Sequence, residues 1–145
     1  MYLGNEEQTI SIRERCLAAL ERLCVMLDLP YRIVVGSGCY QIGPDDVRIP
    51  RAIREIPIKD LEIHCPGYLN KMDGSAFLEV AGSAVLADIL SSRFDVRCAE
   101  DGSFLWSGCT GIGMERMMFA LLTNFGTNFE KYPAVFKDVF RSLSG

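Results

Sequence analysis

The chain has no apolar run long enough to cross a bilayer, and no charged leader followed by an apolar stretch and a cleavage site. A cytoplasmic location without a membrane partner is the expectation. It also lacks a basic surplus: 15 Lys and Arg stand against 19 Asp and Glu, the formal charge is -4, and the two signs are interspersed. Nothing resembles the continuous basic face that duplex nucleic acid requires. The six cysteines, Cys16, Cys24, Cys39, Cys65, Cys98 and Cys109, contain no CxxC pair and sit mostly in apolar runs. Free, buried thiols in a reducing compartment are therefore expected ahead of a disulfide framework. Internal repeats, low-complexity tracts, plausible linkers and a recurring βαβ period are absent as well. What remains is 145 residues, 49% hydrophobic and 23% charged, enough for a single domain over 1–145 with a real core.

Asn5, followed by Glu6, Glu7 and Gln8, offers an N-cap, first-turn acids and a capping-box partner, so a helix should follow. Leu17, Leu20, Cys24 and Leu27 recur at helical steps until Pro30, with Arg13, Glu14, Glu21 and Arg22 on the wet side. Tyr31 to Val35 is a β-branched strand ended by Gly36-Ser37-Gly38, and the Pro- and Arg-rich stretch from Gln41 to Pro57 reads as a loop or short exposed helix. IKDLEIHC from Ile58 to Cys65 alternates strictly, which puts Ile58, Asp60, Glu62 and His64 on a polar face that should line a cavity or meet water. Ala76 to Val80 makes another strand. It ends on Glu79, an acid that needs a cation or donors if buried, and hence a site candidate. The spacing predicts a helix over Ala84 to Arg93, a hairpin turn at Asp101-Gly102, and a strand from Phe104 to Ser107.

The densest signal is FLWSGCTGIGMERMMFALL, Phe104 to Leu122. An apolar strand breaks at Gly108, Gly111 and Gly113, where the backbone can turn sharply and a ligand can come close, and a helix restarts with Glu115-Arg116. Arg116, in the first turn, aims into the turn and suits a polyphosphate, because its planar fork donates parallel charge-assisted bonds and never loses its charge. A last amphipathic helix begins near Pro133. The order of elements gives an α+β fold, an antiparallel sheet with helices on one face.

KDLEI at Lys59 to Ile63, FLEVAGSAVLADILSSRFDVR at Phe77 to Arg97 and SGCTGIGMER at Ser107 to Arg116 resemble, in that order, the catalytic core of seryl-like class II aminoacyl-tRNA synthetases. GMERMMFALLTNFGTNFEKYPAVFKDVF is most similar to the C-terminal signature of amino acid:carrier protein ligases, small homologues that adenylate an amino acid and pass it to a phosphopantetheine thiol. The resemblance covers about residues 58 to 140. It implies a class II core that is N-terminally truncated, ATP and Mg²⁺ as cofactors, Arg116 on the ATP phosphates and Glu79 on the magnesium. It further implies Gly111 and Gly113 beside the adenine, Thr110 near the substrate, and Cys109 as a zinc ligand for the substrate amino group.

The departures are equally specific. The motif 2 arginines and two of three zinc ligands are missing, and a lone Cys109 cannot build a Zn²⁺ site, which needs three protein ligands. His64 and Cys65 point to opposite faces of one strand and cannot both assist. Ala81-Gly82-Ser83-Ala84-Val85 replaces a more polar run, which favours glycine or alanine over serine as substrate. Three functions follow: a ligase charging an acyl or peptidyl carrier protein; an impaired homologue that binds nucleotide or carrier protein; and methanogen-type seryl-tRNA synthetase ancestry, with tRNA disfavoured by the missing basic surface. Pairing, as a homodimer or with another chain, is expected through an exposed sheet edge or apolar patch.

Overall fold

The computed structural model describes residues 1–36 and 56–144. The stretch from Ser37 through most of the Pro- and Arg-rich segment, Cys39 included, lies outside the described residues. Strand β1 (Tyr2–Gly4) leads directly into helix α1 (Glu6–Met26). The expected capping box forms: Asn5 Oδ1 accepts from Gln8 N at 2.8 Å and Gln8 Oε1 accepts from Asn5 N at 3.0 Å. Two orphan donors of the first turn are thereby satisfied. β2 (Tyr31–Val35), β3 (Lys59–His64), β4 (Phe77–Ala87) and β5 (Trp106–Ile112) follow, with short α2 (Ile89–Arg93) between the last two. Gly113 caps α3 (Met114–Phe125), and a 3-10 turn at Phe129–Lys131 precedes α4 (Ala134–Ser144).

The five strands form one antiparallel sheet in the order β1-β5-β4-β3-β2. Leu20 and Cys24 of α1 and Leu27 at its C-cap pack with Ala120 and Leu121 of α3 on Leu61, Ile63, Val80 and Ala81 of the sheet, so these helices and the core share one face. The α+β architecture expected from the sequence is the one observed.

Four expectations fail locally. The helix predicted over Ala84 to Arg93 does not form there: β4 runs on to Ala87, paired with β5 from Ala81 to Ala87, and only Ile89–Arg93 is helical. Ala84, Val85, Leu86 and Ala87 are all buried, and a short run of small apolar residues carries no period by which to tell strand from helix. Glu79 accordingly sits inside a strand and not at its end. Gly108 and Gly111 do not turn the chain; both lie within β5, and the turn falls at Gly113 alone. Arg13 is buried and not wet, because its Nη1 donates to the Pro57 carbonyl at 3.0 Å while Glu14 takes up its charge. Of the thiols, Cys24 and Cys65 are buried, Cys16 and Cys98 are partly covered, and Cys109 is exposed.

Candidate functional site

Strand alternation sorts the residues of the free sheet face. Leu61 and Ala81 point into the core, so their neighbours Asp60 and Gly82, paired across β3 and β4, point away from it. Gly111 pairs with Gly82, and Cys109 with Ala84, on the same free face. These side chains, with Glu79, Gly113 and Arg116, line an open cleft of ≈ 520 Å³. Its floor is shallow because Gly82 and Gly111 pair there without side chains and Ala84 beside them adds only a methyl. Around Gly111 a Cβ would meet nothing within 4 Å, so that glycine faces open space.

Arg116 and Glu79 meet over this floor. Arg116 Nη1 lies 3.3 Å from Glu79 Oε1 and donates to the Glu79 carbonyl at 3.2 Å. Both side chains are about half exposed, at 52% and 47%. The arginine stem passes close to Gly113, where a Cβ would stand 3.2 Å from Arg116 Cδ and push the stem aside by a few tenths of an ångström. A register shift between Leu61 and Glu62 sets Glu62 directly opposite Glu79. Facing carboxylates repel. Each has its own guanidinium, however, with Arg32 Nε 2.6 Å from Glu62 Oε2.

Asp60 is the member that sequence reading left out of the site. Burial pushes its carboxyl up to about 6, helped by the charges of Glu79 and Glu62 and opposed by Arg116. Its Oδ1 stands 3.0 Å, and Glu79 Oε1 3.9 Å, from the position of a Cβ on Gly82. Two carboxylate oxygens thus converge above a residue without a side chain, a cradle that suits a hard cation, which needs only one or two carboxylates beside phosphate and water. The alternation Ile58, Asp60, Glu62 was the signal; what it does not show is Glu79 one strand away.

The remaining expectations divide. Gly111, Gly113 and Cys109 line the cleft with Arg116 and Glu79. Thr110 does not: it points to the helix-covered face, where its hydroxyl and that of Ser83 lie 2.6 Å apart. Among the described residues no three of His, Cys, Asp and Glu stand together as a metal cage. Zinc at Cys109 therefore lacks its partners, and no step is assigned to it. His64 stacks edge-on against Phe77 at 5.4 Å, away from the cleft.

With this geometry in place, comparison with known proteins decides the fold. The chain superposes on an M. kandleri seryl-tRNA synthetase solved in complex with A. aeolicus tRNASec, with a TM-score of 0.78 and 21% identity, over 99% of this chain and 27% of that one. The fold is that of a class II aminoacyl-tRNA synthetase core. In sequence, the chain is 24% identical over 138 residues to the type-2 serine–tRNA ligase of M. kandleri, covering 92% of the chain and 25% of the relative. It is 26% identical over 139 residues to that of Methanococcus aeolicus, covering 95% and 26%, and 24% identical over 145 residues to that of Methanocaldococcus jannaschii, covering 99% and 27%. No family model matches the sequence. The chain spans about a quarter of the length of the curated relatives it matches.

These findings correct the expected partners. The relatives are serine–tRNA ligases, and the superposed synthetase holds a tRNA, which overturns both the expectation that tRNA is disfavoured and the carrier protein as acceptor. The physical reason is one of sampling: a net charge of -4 counts only a segment equivalent to a quarter of the relatives, and says nothing of a basic surface elsewhere.

Proposed function

We propose that the cleft binds ATP together with Mg²⁺ and serves the activation of an amino acid as its adenylate, with serine as the amino acid and tRNA as the acceptor. One observation carries the nucleotide part: a permanent cation, Arg116, and a carboxylate, Glu79, meet over a bare floor on the open face of a class II sheet. The names of the relatives supply serine and tRNA.

Arg116 suits phosphate oxygens because two parallel N–H groups reach two oxygens at once and the charge persists at every working pH. Glu79, with Asp60 beside it, would hold Mg²⁺ above Gly82. When bound, Mg²⁺ neutralises phosphate charge and steadies the pyrophosphate leaving group. Gly111 and Gly113 leave room for the nucleotide to lie against the main chain. The attacking group is the carboxylate of the amino acid, already ionised at neutral pH, so no residue need serve as base. Catalysis is then alignment for in-line attack at the α-phosphate and stabilisation of the charge that develops there. Removing one such charged contact should cost on the order of 10²-fold or more in rate.

The test is calorimetric titration of MgATP into the chain, followed by serine-dependent exchange of labelled pyrophosphate into ATP. Binding that weakens tenfold or more in Arg116→Met supports the nucleotide site, and exchange that requires serine supports the reaction. A wild-type chain that takes up no MgATP defeats the proposal. Binding without exchange leaves a nucleotide-binding module.

A further inference from the structure

We propose that the Arg116–Glu79 ion pair is a built-in blocking contact, which makes the cleft accept nucleotide and divalent cation together and resist either alone. The inference rests on the reading of the cleft as a nucleotide site. Its ground is that the two groups best placed to hold the two ligands are spent on each other: Nη1 of Arg116 bridges Glu79 Oε1 at 3.3 Å and the Glu79 carbonyl at 3.2 Å. The arginine stem passes close to Gly113, where a Cβ would stand 3.2 Å from Cδ.

The charges decide what can open the pair. A divalent cation arriving alone finds Glu79 already neutralised and a guanidinium 3.3 Å from the oxygen it needs. A polyphosphate arriving alone can draw Arg116 away only by leaving Glu79 and Asp60 uncompensated beside its own negative charge, with both carboxylate oxygens within 4 Å of the same point above Gly82. Together the two ligands replace one ion pair by two, guanidinium to phosphate and carboxylate to cation, and no charge is left bare. The pair itself is half exposed, and such pairs are worth about 1 kcal/mol or less, so it is weak enough for the joint ligand to displace.

Two variants read the two halves separately. Mg-free ATP in EDTA, Mn²⁺ alone and MgATP are each titrated into wild type, Glu79→Gln and Arg116→Met, with circular dichroism confirming that all three fold. The wild type should bind MgATP at least tenfold tighter than Mg-free ATP and bind free Mn²⁺ weakly. Glu79→Gln should bind Mg-free ATP several-fold tighter than wild type while losing MgATP affinity. Arg116→Met should bind free Mn²⁺ several-fold tighter while also losing MgATP affinity. Wild-type MgATP binding, with Mg-free ATP no tighter in Glu79→Gln and Mn²⁺ no tighter in Arg116→Met, overturns the blocking contact alone. A wild type that does not bind MgATP overturns the nucleotide reading and this inference with it.

Discussion

The ring of Tyr2 occupies the space that a side chain at Gly108 would need: a Cβ at 108 would collide with Tyr2 Cε2 and stand only 2.6 Å from Cζ. Tyr2 and Gly108 are paired residues of β1 and β5, and the Tyr2 hydroxyl reaches on to the Ala84 carbonyl at 3.4 Å. This contact fastens a three-residue edge strand to the sheet that floors the cleft.

Gly108→Ala should therefore destabilise the fold by about 1–3 kcal/mol, the usual range for overpacking a filled site. The single tryptophan, Trp106, pairs with Gly4 of the same strand, so its emission should shift as β1 detaches. Urea unfolding followed by that emission measures both effects. Adding Tyr2→Ala should recover part of the loss; a Gly108→Ala protein as stable as wild type would show that Tyr2 is free to move aside.

Asp60 makes stability depend on pH. Its folded-state value of about 6 lies above the ordinary 3.8, so folding favours the protonated form. That contribution is fully present below about pH 4 and is lost as pH rises through 6. Asp60→Asn, tested in EDTA, should be neutral near pH 4 and stabilising above pH 7. Two units correspond to about 3 kcal/mol, and partial exposure reduces the expected gain to about 1–2 kcal/mol. Denaturation midpoints across pH 4–8 check it, and a gain independent of pH would contradict the assignment.

The Ser83–Thr110 hydroxyl pair should matter to folding and not to ligand. Thr110→Val leaves the Ser83 hydroxyl, on a residue that is 1% exposed, without its partner, at a cost of about 1–3 kcal/mol. Adding Ser83→Ala should restore part of that loss, and the double-mutant cycle should give a coupling of about 1 kcal/mol. MgATP affinity should stay at the wild-type value in all three variants. A selective loss of affinity in Thr110→Val would return Thr110 to the site.

Where structure is settled by neighbours in the chain, the sequence was sufficient. Asn5 and Gln8 announce the start of α1, Asp101-Gly102 marks a real turn with Gly102 at φ 72°, and Gly126 at φ 72° stops α3. What escaped is settled by partners far along the chain. Arg13 is drawn inward by a carbonyl 44 residues away, and Ala84 to Ala87 are held as strand by pairing with β5. The site divides along the same line. Arg116 and Glu79 were legible because a cation in a first helical turn and an acid in an apolar strand each stand out locally. Asp60 joins the cleft only when β3 and β4 align, and Thr110 is turned from it by the pleat, toward Ser83.

Gly82, Ala84 and Gly111 give the cleft floor almost nothing but main chain, tied into the ladder between β3, β4 and β5. A surface of that kind has no rotamers to exchange. All adaptation to an incoming molecule must be made by the long side chains at its border, so affinity there is tuned by mobility at the margin while the shape beneath stays constant.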